Sequence, residues 1–401
     1  MPEPTQPIRI VRIIARLNIG GPAIQAISLT QKLHDCGYET RLVRGSEGRD
    51  EGNMDYLAEE LGVRPTLVAS MRRDPGPGDI VALWKLVRIL RRDRPHIVHT
   101  HAAKAGTLGR LAALVAFPHR AKRPILVHTY HGHSLTGYFS SRTAAFYRLV
   151  ERFLAKRTDV LVAVSEEVRD DLVRLGVAPC GQFEVIRLGF DLAPFLDDSR
   201  RAERRAALRS EWGIGADEQL VTLTARLVPI KRVDRFLRVA RRLTDHKDMR
   251  FVVVGDGELR DELIASPDAQ ALGDRLIWAG FRRGMADVYF ASDVVMLTSD
   301  NEGTPVSLIE AQAAAVPVVA SDVGGVRAAV RDGETGVVVS PEDVAGFARA
   351  VASMLDDPTL GQAMAAAGRR DAAERYQLQR LVDELNHLYH VQLEKGWPGG
   401  L

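Results

Sequence analysis

The sequence predicts an α/β protein made of two doubly wound parallel-sheet domains. Two observations predict it: short β-branched runs alternate with longer helical stretches along the whole chain, and the alternation starts afresh after about residue 215. A third is size and composition. The 401 residues, 46% apolar and 26% charged, give two to three domains at about 150 residues each and are too apolar for disorder.

In the first half the strand candidates are Ile8–Ala15, Thr40–Arg44, Ile97–Thr100, Ile125–Tyr130, Val160–Val164 and Glu184–Arg187. Helical stretches separate them, such as Ile24–Cys36, which Gly37 closes as a C-terminal stop. The second half repeats the theme with Leu220–Thr224, Arg250–Val254, Leu276–Ala279, Val294–Thr298, Val318–Ala320 and Gly336–Val339. The seam falls near Gly189–Gly215 and includes the charged stretch Asp197–Arg209, expected to be a connecting helix. In the tail Gln377–Leu393, residues Leu378, Leu381, Val382, Leu385, Leu388 and Tyr389 recur at helical spacing, so this amphipathic helix has a surface to cover.

Two cysteines, Cys36 and Cys180, exclude a disulfide scaffold or a Cys-rich zinc module and are expected as free thiols. No apolar run suits a cleaved leader or a spanning helix, so the expected location is the cytoplasm. The net charge of +2 hides an asymmetry: residues 1–190 hold 28 Lys+Arg against 19 Asp+Glu. A basic first half suits an anionic lipid, a phosphorylated acceptor or nucleic acid, or is a scattered solvated surface.

Four strand-end constellations could carry chemistry. Gly20-Gly21 lies between the first strand and first helix, where backbone can approach a ligand; without a third spaced glycine it misses the dinucleotide fingerprint, and a plain tight turn fits equally. Arg226 leaves the first strand of the second domain and Lys231 follows, entering the next helix. Two such cations suit a diphosphate or are ordinary surface charges. In Ser299–Glu310, Thr304 suits a helix cap and Pro305 its first position, which places Glu302 in the loop and Glu310 on the helix. The two carboxylates should stand roughly 10 Å apart, wider than the pair of a retaining glycosidase, and could serve two sugars of one ligand. Gly303 and Thr304 would offer backbone N–H groups there, unless this is only a capped surface helix.

Histidine pairs at spacing two form the fourth, His99 with His101 and His131 with His133, each at the end of an apolar strand. They suit a zinc ion or, with no accompanying carboxylate or thiol motif, hydrogen-bond donation. Gly255, in Gly255-Asp256-Gly257, sits in another strand-end glycine loop. Two basic amphipathic stretches, Leu83–Arg92 and Phe146–Arg157, either pack on the sheet or meet a membrane interface.

Taken together these strings resemble the retaining family 4 glycosyltransferases of GT-B fold. The resemblance covers nearly the whole chain: the glycine-pair loop, Thr129-Tyr130-His131-Gly132-His133, Val164-Ser165-Glu166, Arg226 with Lys231, Gly255-Asp256-Gly257, and Glu302 with Gly303 and Glu310. One departure is Leu188-Gly189-Phe190-Asp191, where the family usually reads Asn-Gly-Val-Asp. The resemblance implies two Rossmann-like domains facing across a cleft, residues 1–190 for the acceptor and 191–375 for the nucleotide-sugar donor. Residues 376–401 would form a helix crossing back to the first domain.

It further implies that Arg226 and Lys231 hold the donor diphosphate, Glu310 the ribose, Glu302 the transferred sugar, and that His131 contacts the sugar or phosphate. Gly20, Gly21, Gly255, Gly303 and Thr304 would complete the donor site. With no Asp-x-Asp in the chain, no metal or other cofactor is expected. The expected reaction is front-face transfer with retention from a UDP-sugar to a glycan, lipid-linked or small-molecule acceptor in cell-surface polysaccharide or glycoconjugate assembly. The partners are that donor and acceptor, with peripheral contact at the inner face of an anionic membrane and no nucleic acid. The rivals are a nucleotide-sugar epimerase of the same fold and a non-catalytic nucleotide- or polyanion-binding protein.

Overall fold

Strand Ile8–Ile14 (β1) centres the first sheet, because the chain builds outward from it in both directions. The computed structural model describes residues 7–18, 20–48, 52–72, 74–132, 141–246 and 248–396. The remaining strands of this sheet are Tyr38–Arg44 (β2), Thr66–Leu67 (β3), Ile97–His101 (β4), Ile125–Tyr130 (β5), Val160–Ala163 (β6) and Phe183–Val185 (β7). They lie parallel in the order β3-β2-β1-β4-β5-β6-β7. The order reverses between β1 and β4, which opens a crevice at their carboxyl ends.

A second parallel sheet holds Gln219–Thr224 (β8), Met249–Val254 (β9), Leu276–Gly280 (β10), Val294–Leu297 (β11), Val318–Ser321 (β12) and Val337–Val339 (β13). Its order, β10-β9-β8-β11-β12-β13, reverses between β8 and β11. The chain divides into two compact units, one running to Phe190 and resuming at Leu378, the other Asp191–Gln377. Both sheets carry helices on both faces, so central strands such as β4 are buried along their whole length.

The tail helix, Leu378–Gly396, belongs to the first unit. Its apolar stripe packs with Ile8 and Ile10 of β1, Leu29 and Leu33 of the first helix, and Val160 and Val162 of β6. Entry and exit are tied together, since Leu378 donates its backbone N–H to the Phe190 carbonyl at 2.9 Å.

Two local expectations are corrected, and one strand lies outside them. The first helix is Gly21–Asp35, starting three residues earlier than Ile24, because Pro22 fits the first turn without losing a hydrogen bond. The two-residue β3 is too short for any periodicity to betray it. The charged seam helix is Arg201–Glu211 rather than Asp197–Arg209, and Arg205 and Arg209 anchor it to Asp293 of the second unit. Cys36 and Cys180 are free and exposed.

Candidate active site

In the second unit the loops after β8 and β11 meet at the point where the strand order reverses. Arg226 follows β8 directly, half-buried, and its side chain makes no hydrogen bond or ion pair among the described residues. Lys231 closes a 3-10 turn, Pro229–Lys231, and the helix begins only at Val233, so Lys231 stands before the helix rather than within it. Between them Arg232 adopts a left-handed backbone, φ 47°. Such a conformation costs a non-glycine residue about 1–3 kcal/mol and persists where its surroundings hold it. Here Thr298 Oγ1 donates to the Lys231 and Arg232 carbonyls at 3.3 and 3.0 Å, and Asp300 N–H donates to the Ile230 carbonyl at 2.9 Å. The end of β11 therefore fixes where Lys231 points.

Lys231 Nζ donates to Glu302 Oε1 at 2.6 Å, and Ser299 Oγ donates to the same oxygen at 2.6 Å. One carboxylate oxygen is thereby committed, while the other oxygen and two ammonium protons remain for a ligand. Close backbone packing shapes both loops. Gly255 has φ +137°, and a Cβ there would sit 1.9 Å from the Ala225 carbonyl oxygen. A Cβ on Gly325 would sit 1.8 Å from the Gly303 carbonyl oxygen, and Gly325 N–H donates to the Glu302 carbonyl at 2.9 Å.

The helix carrying Glu310 is Val306–Ala313, with Pro305 itself in the cap position and no side-chain cap. Thr304 does not cap it, because the chain kinks at Pro305 (ψ 84°) and the first helical bonds return to the Pro305 carbonyl. Glu310 is held by the buried Tyr289, whose hydroxyl lies 3.1 Å from Glu310 Oε2 and 3.2 Å from Thr224 Oγ1. Burial pushes the Glu310 carboxyl up to about 7, against a smaller lowering by the Tyr289 hydrogen bond. Tyr289 and Ser299 carry no sequence signal that would have singled them out.

The first unit places Gly20 at the cap and Gly21 in the first turn of the helix after β1. Beside them, His99 and His101 of β4 share one face with Arg12 of β1, and His131 follows β5; His133 lies outside the described residues. Arg12 Nη1 lies 3.2 Å from His99 Nδ1 and 3.0 Å from His101 Nε2. A guanidinium can only donate, so both nitrogens present lone pairs. Those lone pairs are then committed to Arg12, which leaves hydrogen bonding rather than zinc ligation as their use.

The protons of His99 and His101 follow from this. His99 Nε2–H donates to Thr129 Oγ1 at 2.7 Å, and His101 Nδ1–H donates to His131 Nε2 at 3.0 Å. His131 therefore carries its proton on Nδ1, a buried atom without a hydrogen-bond partner among the described residues. Burial keeps all three rings neutral, lowering His131 to about 3 and the other two well below the usual histidine range. Tyr389 of the tail helix closes the deep end, its hydroxyl 2.5 Å from His99 Nδ1. Neither Arg12 nor Tyr389 was legible as a partner, being 87 and 290 residues from His99.

Two Rossmann-like sheets with cations, a braced carboxylate pair and glycine loops at their carboxyl ends define the class of GT-B glycosyltransferases. Residues 204–371 match the family described as glycosyl transferases group 1, and residues 19–194 match glycosyltransferase family 4. The chain is 32% identical over 324 residues to a D-inositol 3-phosphate glycosyltransferase of Rhodococcus jostii, covering 76% of this chain and 69% of the relative. It is 29% identical over 341 residues to an Escherichia coli UDP-Gal:alpha-D-GlcNAc-diphosphoundecaprenol alpha-1,3-galactosyltransferase, covering 84% of this chain and 85% of the relative. The crystal structure of Anabaena HepE in complex with UDP and glucose superposes with a TM-score of 0.80 at 20% identity, over 96% of this chain and 99% of that one. The chain belongs to the family 4 glycosyltransferases.

Proposed function

We propose that this protein is a retaining, metal-independent glycosyltransferase that moves a sugar from a UDP-sugar to a lipid-linked, glycan or small-molecule acceptor. In this reading Arg226 and Lys231 take the donor diphosphate, Glu302 the hydroxyls of the transferred sugar and Glu310 the ribose. Gly255, Gly303, Thr304, Gly20 and Gly21 are the further donor-binding residues of this reading. His131 offers its Nδ1–H to a substrate oxygen.

The observation that carries it is the uncompensated Arg226 guanidinium on the same segment after β8 as Lys231, which pairs with Glu302. Fixed positive charge at a strand end stabilises a diphosphate as it departs, which is where charge develops in glycosyl transfer. Two cations with no Asp-x-Asp nearby support neutralisation without a metal. The UDP-Gal-dependent relative and the UDP-bound neighbour support a uridine donor. The lipid-linked acceptor named for the Escherichia coli relative supports work at the cytoplasmic face of a membrane in cell-surface glycan assembly.

The test is a thermal-shift panel of UDP-, GDP- and ADP-sugars, followed by turnover of the best ligand with and without chelator and NMR of the product anomer. Stabilisation by UDP-sugars, chelator-insensitive turnover and a retained anomer are expected. An inverted product, or conversion of UDP-GlcNAc to its epimer without acceptor, would overturn the reading.

A further inference from the structure

Seven of the eleven large apolar side chains exposed among the described residues sit on helices Gly78–Asp93, Ala103–Ala116 and Ser141–Ala155. These helices connect β3 to β4, β4 to β5 and β5 to β6, so all three cross the sheet in the same direction. Right-handed crossovers place them on one face, opposite the helix after β1. The middle helix is held to its neighbours by Arg91, which donates to the Val115 carbonyl at 3.3 Å, and by the buried Arg110–Glu151 pair at 2.7 Å. Their outward sides thus form one surface.

On it Ile80 is 75% exposed, Trp84 56%, Phe146 62% and Leu149 64%, with Val115 and Phe153 between and beside them. Cations frame these side chains. Arg88 lies 4.7 Å from the Trp84 ring centroid and Arg157 lies 3.8 Å from that of Phe153, with Lys85, Arg91 and Lys156 also exposed. No exposed carboxylate stands on the three helices: Glu151 is buried, Asp79 pairs with Lys104 and Asp93 with Arg41. From Arg94 to Val150 the chain contains no Asp or Glu at all.

We infer that this face docks onto an anionic lipid bilayer. Tryptophan, phenylalanine and aliphatic side chains ringed by arginine and lysine suit the headgroup boundary, where apolar burial and attraction to lipid phosphates add. A protein partner of ordinary mixed charge has no counterpart for a surface of one sign. The inference deepens the lipid-linked acceptor proposed above and rests on it for its purpose; the binding itself is measured without any sugar nucleotide.

The experiment is co-sedimentation of the full chain with phosphatidylcholine vesicles containing or lacking about 30 mol% phosphatidylglycerol. The wild type should bind the anionic vesicles, with a blue shift in tryptophan emission that Trp84→Phe removes. The combined variant Trp84→Ser, Phe146→Ser, Leu149→Ser should lose at least about tenfold in partitioning. Lys85→Gln, Arg88→Gln, Arg157→Gln should lose the preference for anionic over neutral vesicles. Donor hydrolysis should be unchanged in both, since none of these residues belongs to the proposed site.

Wild type that fails to bind, or serine variants that bind as well as wild type, would overturn the inference. So would an oligomer that the serine variant dissociates while vesicle binding persists. Vesicle binding that follows the variants in a protein inert toward every nucleotide sugar would leave this surface standing and discard the enzymatic reading.

Discussion

Lys231 Nζ and Glu302 Oε1 are 2.6 Å apart, with only 8% of the glutamate side chain exposed. The proposed function gives the same ammonium to the leaving diphosphate, so one cation that braces a buried carboxylate would also neutralise the nucleotide. Removing it has separable effects. Lys231→Ala should lower turnover by about 10²–10³-fold and also cost about 1–3 kcal/mol of stability, because the buried Glu302 loses its counter-charge and keeps the Ser299 hydroxyl bond. Lys231→Ala with Glu302→Gln should recover the melting temperature but not the turnover. Arg226→Ala, with no partner to orphan among the described residues, should lose turnover to a similar degree at unchanged melting temperature. Steady-state kinetics beside calorimetry read both quantities, and near-normal turnover in Lys231→Ala and Arg226→Ala would remove their assigned role.

Glu310 sets a pH signature. Its carboxyl titrates at about 7 in the folded chain against a usual 4.5. Between those values the folded state holds more protons than the unfolded, so this residue's contribution to stability falls as pH rises through the interval, by at most about 3 kcal/mol. Glu310→Gln should therefore melt higher than wild type at pH 8 and nearly equally at pH 4.5. If the carboxylate accepts from the donor ribose as proposed, donor binding should strengthen in wild type as pH rises through 7 and lose that dependence in the variant. Calorimetric titrations at several pH values check both.

The Arg12–His101–His131 series fixes a tautomer. In wild type, long-range ¹⁵N–¹H NMR of the histidine rings should show the His131 proton on Nδ1 at every pH from 5 to 9. Arg12→Met frees His101 to turn its proton toward the space the guanidinium left. A mixture of His131 tautomers and a turnover loss of about tenfold are then expected. An unmixed tautomer in the variant would show that Arg12 does not set it.

The tail helix is part of the first unit's core. Seven of its side chains, from Leu378 to Leu393, are buried against that sheet and first helix. At about 1.5–3 kcal/mol each their burial is worth about 10–20 kcal/mol, comparable to a whole domain's stability. Deleting residues 378–401 should leave the first unit unfolded by near-ultraviolet circular dichroism while the second unit still melts cooperatively.

What the sequence made legible follows the ranges over which its signals act. Every strand of four or more residues showed as a β-branched run between turn residues, because parallel strands buried on both faces need continuous apolar character. The glycine loops, Arg226, Lys231, Glu302 and Glu310 stood out by their places at strand and helix ends. The lost details are those that another part of the chain imposes. Arg232 is left-handed because Thr298 and Asp300 grip its turn, Thr304 fails as a cap because Pro305 takes that position, and Arg12 reads as an ordinary charge within β1 until β4 brings two imidazoles beside it.

The chain quits its first sheet at Phe190 and comes home only at Leu378. On a ribosome, the residues that seal that sheet emerge only after the entire intervening lobe. The later-encoded lobe can thus mature while the earlier one still waits with its strands uncovered. Synthesis order and folding order run in opposite senses, and the nascent N-terminal half is the portion for which a holding chaperone matters most.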